Sequence, residues 1–207
     1  MPTPAAEPPT SYATELPTTN APGDTLDTIA AEIRACRACP LCQRRLNPVP
    51  GEGNPDHPDI MFIGEGPGAD EDAQGRPFVG RSGQLLDKMI AAIGYERERV
   101  FIGNIVKCRP PGNRTPTPSE MAGCIPYLLR QIDLIRPRLI VCLGSTAMIG
   151  LLGNIGPISR VRGTWHDFHG IPVLPTFHPA YLLRDPSRKR FAWADLKTVM
   201  ARLSPPT

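Results

Sequence analysis

The chain has 207 residues, including 26 prolines and 19 glycines, and a formal net charge of +3; that length builds one domain with a substantial core plus an extension. No apolar run approaches the roughly 20 residues that cross a bilayer, and the N-terminus lacks the basic start and apolar stretch of a secretory signal. A membrane role is thereby disfavoured, a cytoplasmic protein is expected, and the six cysteines are expected as thiols or metal ligands rather than disulfides.

Charge is unevenly spread. Residues 1–35 hold Glu7, Glu15, Asp24, Asp27 and Glu32 against Arg34, a net of −4, which leaves +7 on the remainder. A basic domain behind an acidic tail suits a polyanionic partner.

Residues 1–23 are rich in Pro, Thr and Ala without apolar period and read as a disordered extension; residues 24–207 read as a single domain. Leu26, Ile29, Ala30 and Ile33 have helical spacing, with Asp24 or Thr25 as N-cap. This helix leads into Cys36-Arg37-Ala38-Cys39-Pro40-Leu41-Cys42. A Pro/Gly/Asn-rich connection then reaches Ile60-Met61-Phe62-Ile63, a strand buried on both faces, which stops in Gly64-Glu65-Gly66-Pro67-Gly68.

Ser82 to about Ile93 reads as a helix stopped by Gly94, and Val100–Val106 as the second strand, with Asn104 near its end. Cys108 to Pro116 carries three prolines and a glycine and reads as a loop. Thr117-Pro118-Ser119-Glu120 is a helix start with a capping box, and the helix runs to about Ile135. Leu139–Leu143 is a third strand, Ser145–Leu152 a short helix, Ile171–Leu174 a fourth strand, and Pro186–Leu203 mostly helix. This alternation predicts an α/β fold with a parallel sheet between helices.

The glycine turn does not match a dinucleotide fingerprint, because the glycines fall at 64, 66 and 68 and Pro67 interrupts entry into a helix. It reads as a turn that grips a ligand through bare backbone N–H groups. Cys36 and Cys39 pair at metal spacing, with Cys108 and Cys124 far along the chain; spacing alone leaves zinc and iron–sulfur both open, and Cys42 competes with the first two. Cys142 lies within an apolar strand and reads as core. Asn104 and His178 each follow an apolar run, where open α/β sheets bind ligands. An amide there can read the edge of a heterocycle while Phe78 stacks on its face. Arg184, Arg188, Lys189 and Arg190, with Lys107, Arg109 and Arg114, supply cations beside that edge for phosphate contacts or for a solvated surface.

Four segments together, Gly64-Glu65-Gly66-Pro67-Gly68, Gly75-Arg76-Pro77-Phe78-Val79-Gly80, Asn104-Ile105-Val106-Lys107-Cys108-Arg109-Pro110-Pro111 and His178-Pro179-Ala180-Tyr181-Leu182-Leu183, resemble the family 4 uracil-DNA glycosylases. The likeness runs from about Asp24 to Leu203. It implies a three-layer α/β/α sandwich around a four-stranded parallel sheet, and a structural [4Fe–4S] cluster on Cys36, Cys39, Cys108 and Cys124, the first pair set by its distance to Gly51-Glu52-Gly53-Asn54-Pro55. Cys42 is then an extra.

By the same resemblance Gly64 and Gly66 belong to the substrate pocket, Phe78 stacks on uracil, Asn104 pairs with its polar edge, and Glu71 stands where a 5-methyl group would clash. Gly66 N–H and His178 bind uracil O2, while Glu65 and Asn113 occupy catalytic, water-placing positions. Leu182 or Leu183 is expected to fill the vacated base stack, and Arg114 and Arg184 to contact DNA. Glu65 separates the chain from family 5 enzymes, and the histidine-free proline loop from uracil-DNA cross-linking relatives. The expected activity is release of uracil from single- or double-stranded DNA to leave an abasic site for base excision repair, by a monomer without strand cleavage. A non-catalytic nucleic-acid-binding module with zinc on four cysteines is the alternative, and a ferredoxin-like electron carrier a weaker one.

Overall fold

A computed structural model describes residues 23–203; the expected disordered extension over residues 1–23 falls, Gly23 apart, outside the described residues. At the centre is a six-stranded sheet of order β1-β3-β2-β4-β6-β5. Strands β2 (Ile60–Gly64), β3 (Phe101–Asn104), β4 (Leu139–Leu143) and β6 (Ile171–Thr176) run parallel, as expected. The short strands β1 (Glu52–Gly53) and β5 (His166–Phe168) add antiparallel edges that the sequence reading missed, since two and three residues are too short to show a period.

Every residue of β2 and β4 is buried, which explains their unbroken apolar runs. Alternation decides which helix layer each side chain meets. Met61, Ile63, Ile140 and Cys142 pack with Ile125, Leu128 and Ile132 of α4 (Pro118–Ile135) and Met148 and Leu151 of α5 (Ser145–Leu152). Ile60, Phe62, Leu139, Val141 and Leu174 face Leu86, Met89 and Ile90 of α3 (Arg81–Ala92) and Leu196 and Val199 of α8 (Lys189–Leu203). The three-layer sandwich follows from that division.

Helix boundaries follow their caps. Thr25, not Asp24, caps α1 (Leu26–Ala35), while the Asp24 carboxylate pairs with Arg130 on α4. Thr117 and Glu120 form the capping box of α4. Three short helices escaped the sequence reading: α2 (Ala69–Gln74), α6 (Ile158–Val161) and α7 (Pro179–Arg184). Pro67 does not block α2, because it precedes the N-cap Gly68, and Asp70, Glu71 and Asp72 occupy the first turn where acids favour a helix N-terminus.

The chain leaves β2 to build β3 on one side and later returns to build β4 on the other. The carboxyl ends of β2 and β4 therefore flank a topological switch point, where open α/β sheets leave a crevice.

Candidate active site

A cleft of about 720 Å³ opens at that crevice. It gathers Glu65, Gly66, Glu71, Phe78, Asn104, Asn113, Arg114, His178 and Arg184 into one lining. Residues far apart in sequence thus meet at the same sheet edge, from the ends of strands and from the turns and short helices beside them.

Asn104 ends β3 and is 1% exposed. Its Oδ1 is buried without a hydrogen-bond partner among the described residues. Such an orphan costs roughly 1–3 kcal/mol and is rare in a native interior. Gly64 makes the placement possible: a Cβ there would lie 2.5 Å from Asn104 Oδ1 and 2.6 Å from the Phe78 ring.

Phe78 is buried at a positive φ of 51°, a conformation a bulky residue holds only under constraint. The constraint is visible. Glu71 Oε1 accepts from the N–H groups of Val79 and Gly80, both at 2.9 Å, while its Oε2 accepts from Gly68 N–H at 3.1 Å. Arg97 donates to Phe78 O at 3.2 Å and to Pro77 O at 2.5 Å, and is itself held by Glu52 and Asp87. Arg97 and Glu52 were not anticipated, since nothing local in the sequence links them to Phe78.

The His178 ring lies 5.6 Å from that of Phe78, centroid to centroid. Its Nδ1 accepts from Ala180 N–H at 3.0 Å, capping α7. Burial, with a smaller contribution from Arg184, lowers the pKa to about 4. The ring is neutral at pH 7, and because Nδ1 accepts, Nε2 carries the proton.

Glu65 accepts from the hydroxyl of Thr146, a buried residue in the first turn of α5. Thr146 was missed, although it follows a strand on the same edge and the rule that singled out Asn104 and His178 reaches it too. Asn113 Oδ1 accepts from Arg109 Nε at 2.8 Å. Arg114 is engaged by both oxygens of Glu120, at 2.7 and 2.8 Å, and this pairing holds the Glu120 carboxyl at about 2. Arg184 is exposed at the cleft.

The two leucines of the expected pair differ in burial. Leu182 is 1% exposed and belongs to the core with Leu86 and Leu196, whereas Leu183 is 42% exposed. Lys107 is fully buried, donates to Gln131 Oε1 at 2.8 Å, and has its pKa lowered by burial to about 8. It does not line the cleft.

The cysteines form a second locus. Cys36 caps α1, Cys39 precedes a short 3-10 turn (Pro40–Gln43) that contains Cys42, Cys108 follows β3 and Cys124 lies in α4. Cys142 is in β4, fully buried, with its pKa raised by burial. Burial raises Cys39, Cys108 and Cys124, the last to about 12, and neighbouring thiols among the set push each further upward. Ala38 N–H reaches Cys36 Sγ at 3.5 Å, Lys107 N–H reaches Cys124 Sγ at 3.2 Å, and Arg45 Nη1 reaches Cys108 Sγ at 2.9 Å. Among the described residues no three of His, Cys, Asp and Glu stand close enough to hold a single metal ion. Thiols met by N–H donors suit thiolate ligation of a cluster, whose sulfurs accept such bonds.

A sequence model of the uracil DNA glycosylase superfamily matches residues 50–197, and the chain belongs to that superfamily. Its likeness is then to the type-4 enzymes in particular. It is 50% identical to the type-4 uracil-DNA glycosylase of Thermotoga maritima over 166 residues, 79% of this chain and 86% of that one. The type-4 enzyme of Sulfurisphaera tokodaii is 48% identical over 85% of this chain and 84% of its own length. That of Saccharolobus solfataricus is 47% identical, with 87% and 88% covered. Among the described residues no helix is long and apolar enough to cross a membrane.

Proposed function

We propose that this protein is a monofunctional uracil-DNA glycosylase, which flips deoxyuridine out of single- or double-stranded DNA and hydrolyses its N-glycosidic bond. The observation that carries the reading is the orphaned Oδ1 of Asn104 at the floor of the cleft beside Phe78. An acceptor kept unpaired against its cost calls for a donor from the ligand, and uracil offers N3–H in the plane on which Phe78 can stack.

Flipping costs a few kcal/mol and is cheapest at a mismatch or in single strands. Once seated, uracil gives N3–H to Asn104 Oδ1, with the amide nitrogen free to serve O4. His178 Nε2–H and the N–H of Gly66 converge on O2. Bond cleavage leaves negative charge on uracil, so these donors bind the departing anion better than the neutral base and lower the barrier. A neutral imidazole donates without holding a positive charge in a buried site. Glu65, oriented by Thr146, and Asn113 place the water that captures the sugar.

Glu71 fixes the Phe78 loop and occupies the space a 5-methyl group would need. Leu183 enters the gap left by the base, and Arg184 and Arg114 meet phosphates, the latter beyond its pairing with Glu120. Lys107 is buried away from the cleft, which favours hydrolysis over a Schiff-base route to strand cleavage. Cys36, Cys39, Cys108 and Cys124 hold a [4Fe–4S] cluster that joins the segment after α1 to the loop after β3 and to α4; when bound it supplies cross-linking rather than chemistry on the base. The protein works as a cytoplasmic monomer.

An end-labelled oligonucleotide with one uracil, incubated with protein and then alkali, tests the reading. We expect alkali-dependent breakage at uracil and none at thymine, with the rate in Asn104→Ala reduced by roughly 100- to 1000-fold, because the change removes the amide donor to O4 together with the acceptor for N3–H. No breakage by iron-replete protein on either single or duplex DNA would overturn the reading.

A further inference from the structure

We propose that Arg45 is the outer partner of the cysteine site: it locks the Cys36 segment to Cys108 and donates a charged hydrogen bond to the Cys108 sulfur that favours the more reduced state of the cluster. The inference rests on the [4Fe–4S] reading above, but concerns a residue that neither the cleft nor the ligand set accounts for.

Arg45 follows the turn that carries Cys39 and Cys42 and is only partly exposed. Its Nη1 donates to Cys108 Sγ at 2.9 Å and to Ile33 O at 3.3 Å. Its Nη2 donates to Arg34 O at 2.7 Å and to Cys36 O at 3.2 Å. These partners are three carbonyls and a sulfur, none of them a carboxylate. A guanidinium usually pairs with an acid; here its donors go to carbonyls at the C-terminal end of α1 and its C-cap, where cations are favoured, and to one cysteine from a distant part of the chain.

The planar fork spans both segments at once, which the point charge of a lysine does not do. Two ligand-bearing segments separated by more than 60 positions are thereby set in place before any iron arrives, and less ordering remains to be paid at assembly. The bond to sulfur has a second effect. Reduction adds negative charge that the ligand sulfurs share, and hydrogen bonds to those sulfurs are among the levers that set a cluster's potential. The donors to Cys36 and Cys124 at Ala38 and Lys107 are backbone amides. Arg45 adds a full positive charge, and charge-assisted bonds are about twice as strong as neutral ones.

Holoprotein is compared with Arg45→Met, Arg45→Gln and Arg45→Lys, with exposed Arg44→Met as control, by redox titration followed in visible absorbance and electron paramagnetic resonance, and by iron release to a chelator. The two neutral variants should be harder to reduce, the reduced-to-oxidised ratio at a fixed potential falling on the order of tenfold, which is about 59 mV for one electron. Arg45→Lys should keep more of the potential yet release iron faster than wild type, because it keeps charge and loses the fork. Neutral variants that show native circular dichroism but hold no iron, while Arg44→Met is loaded, are the extreme of the same result. Loaded neutral variants with wild-type potential and wild-type iron release would overturn the assignment. Wild-type protein purified without iron–sulfur absorbance would instead overturn the cluster reading on which it rests.

Discussion

The cleft and the cysteine corner use hydrogen bonds in opposite ways. In the cleft the scaffold is saturated and the reading atom is not: three backbone N–H groups occupy Glu71, Arg97 holds the carbonyls around Phe78, and Asn104 Oδ1 is left open. At the cysteines the donors point inward at the sulfurs themselves. On the proposed reading, one site receives a ligand that comes and goes and the other holds a group that stays. The difference predicts that mutations in the cleft change rate and leave the fold, whereas mutations at the cysteines change the fold and lose rate as a consequence.

The largest expected effect is at the corner. Cys124→Ala should lose visible absorbance and solubility together, while Asn104→Ala keeps the colour and melting temperature of wild type. A colourless Cys124→Ala protein of full stability and activity would erase the contrast between the two regions. Circular dichroism melts and iron determination on both variants decide it.

A smaller effect is expected where the cleft borrows stability from its scaffold. Glu71→Gln retains one oxygen for backbone N–H donors that the carboxylate serves with two, and turns an NH2 toward the rest. The loss of a hydrogen bond to a charged group costs roughly 1.5–3 kcal/mol. To the extent that this is felt as misplacement of Phe78, the single-turnover rate falls by roughly 10- to 100-fold. Unchanged melting and rate would mean that Phe78 keeps its positive φ without Glu71.

The smallest effect concerns pH. The folded pKa of His178, about 4, lies below the ordinary 6.5, so the folded protein resists the proton that the unfolded chain accepts. The neutral ring is fully favoured above pH 6.5, and its stability advantage is lost as pH falls from there through 4. Protonation also displaces the Ala180 N–H from Nδ1. The acid limb of the pH–rate profile that belongs to this ring should therefore appear near pH 4; a limb at 6.5 that vanishes in His178→Gln would contradict the assignment.

Much of this was legible in the sequence, and the limits are physical. The four parallel strands announce themselves because burial on both faces demands unbroken apolar runs, and α4 because Thr117 and Glu120 cap its start. Asn104 and His178 stand out by their place after such runs. Glu71 is different: the sequence says that an acid follows the glycine turn, but that its carboxylate binds three backbone N–H groups is a tertiary fact. The same holds for Arg97 on the Phe78 loop, Thr146 on Glu65 and Arg45 on Cys108. Leu182 and Leu183 are adjacent and chemically alike, and only the orientation of α7 sends one into the core and leaves the other exposed. Helices of four to six residues, as α2, α6 and α7 are, have too few turns to show a period.

The most direct test of the central claim is a double-mutant cycle on single-turnover release, pairing Asn104→Ala with N3-methyluracil in place of uracil in the oligonucleotide. If Asn104 Oδ1 reads N3–H, the two changes together cost clearly less than the product of the single losses, because both delete the N3–H bond. Losses that multiply would show that Asn104 and N3–H act independently, and would contradict the account of the open acceptor.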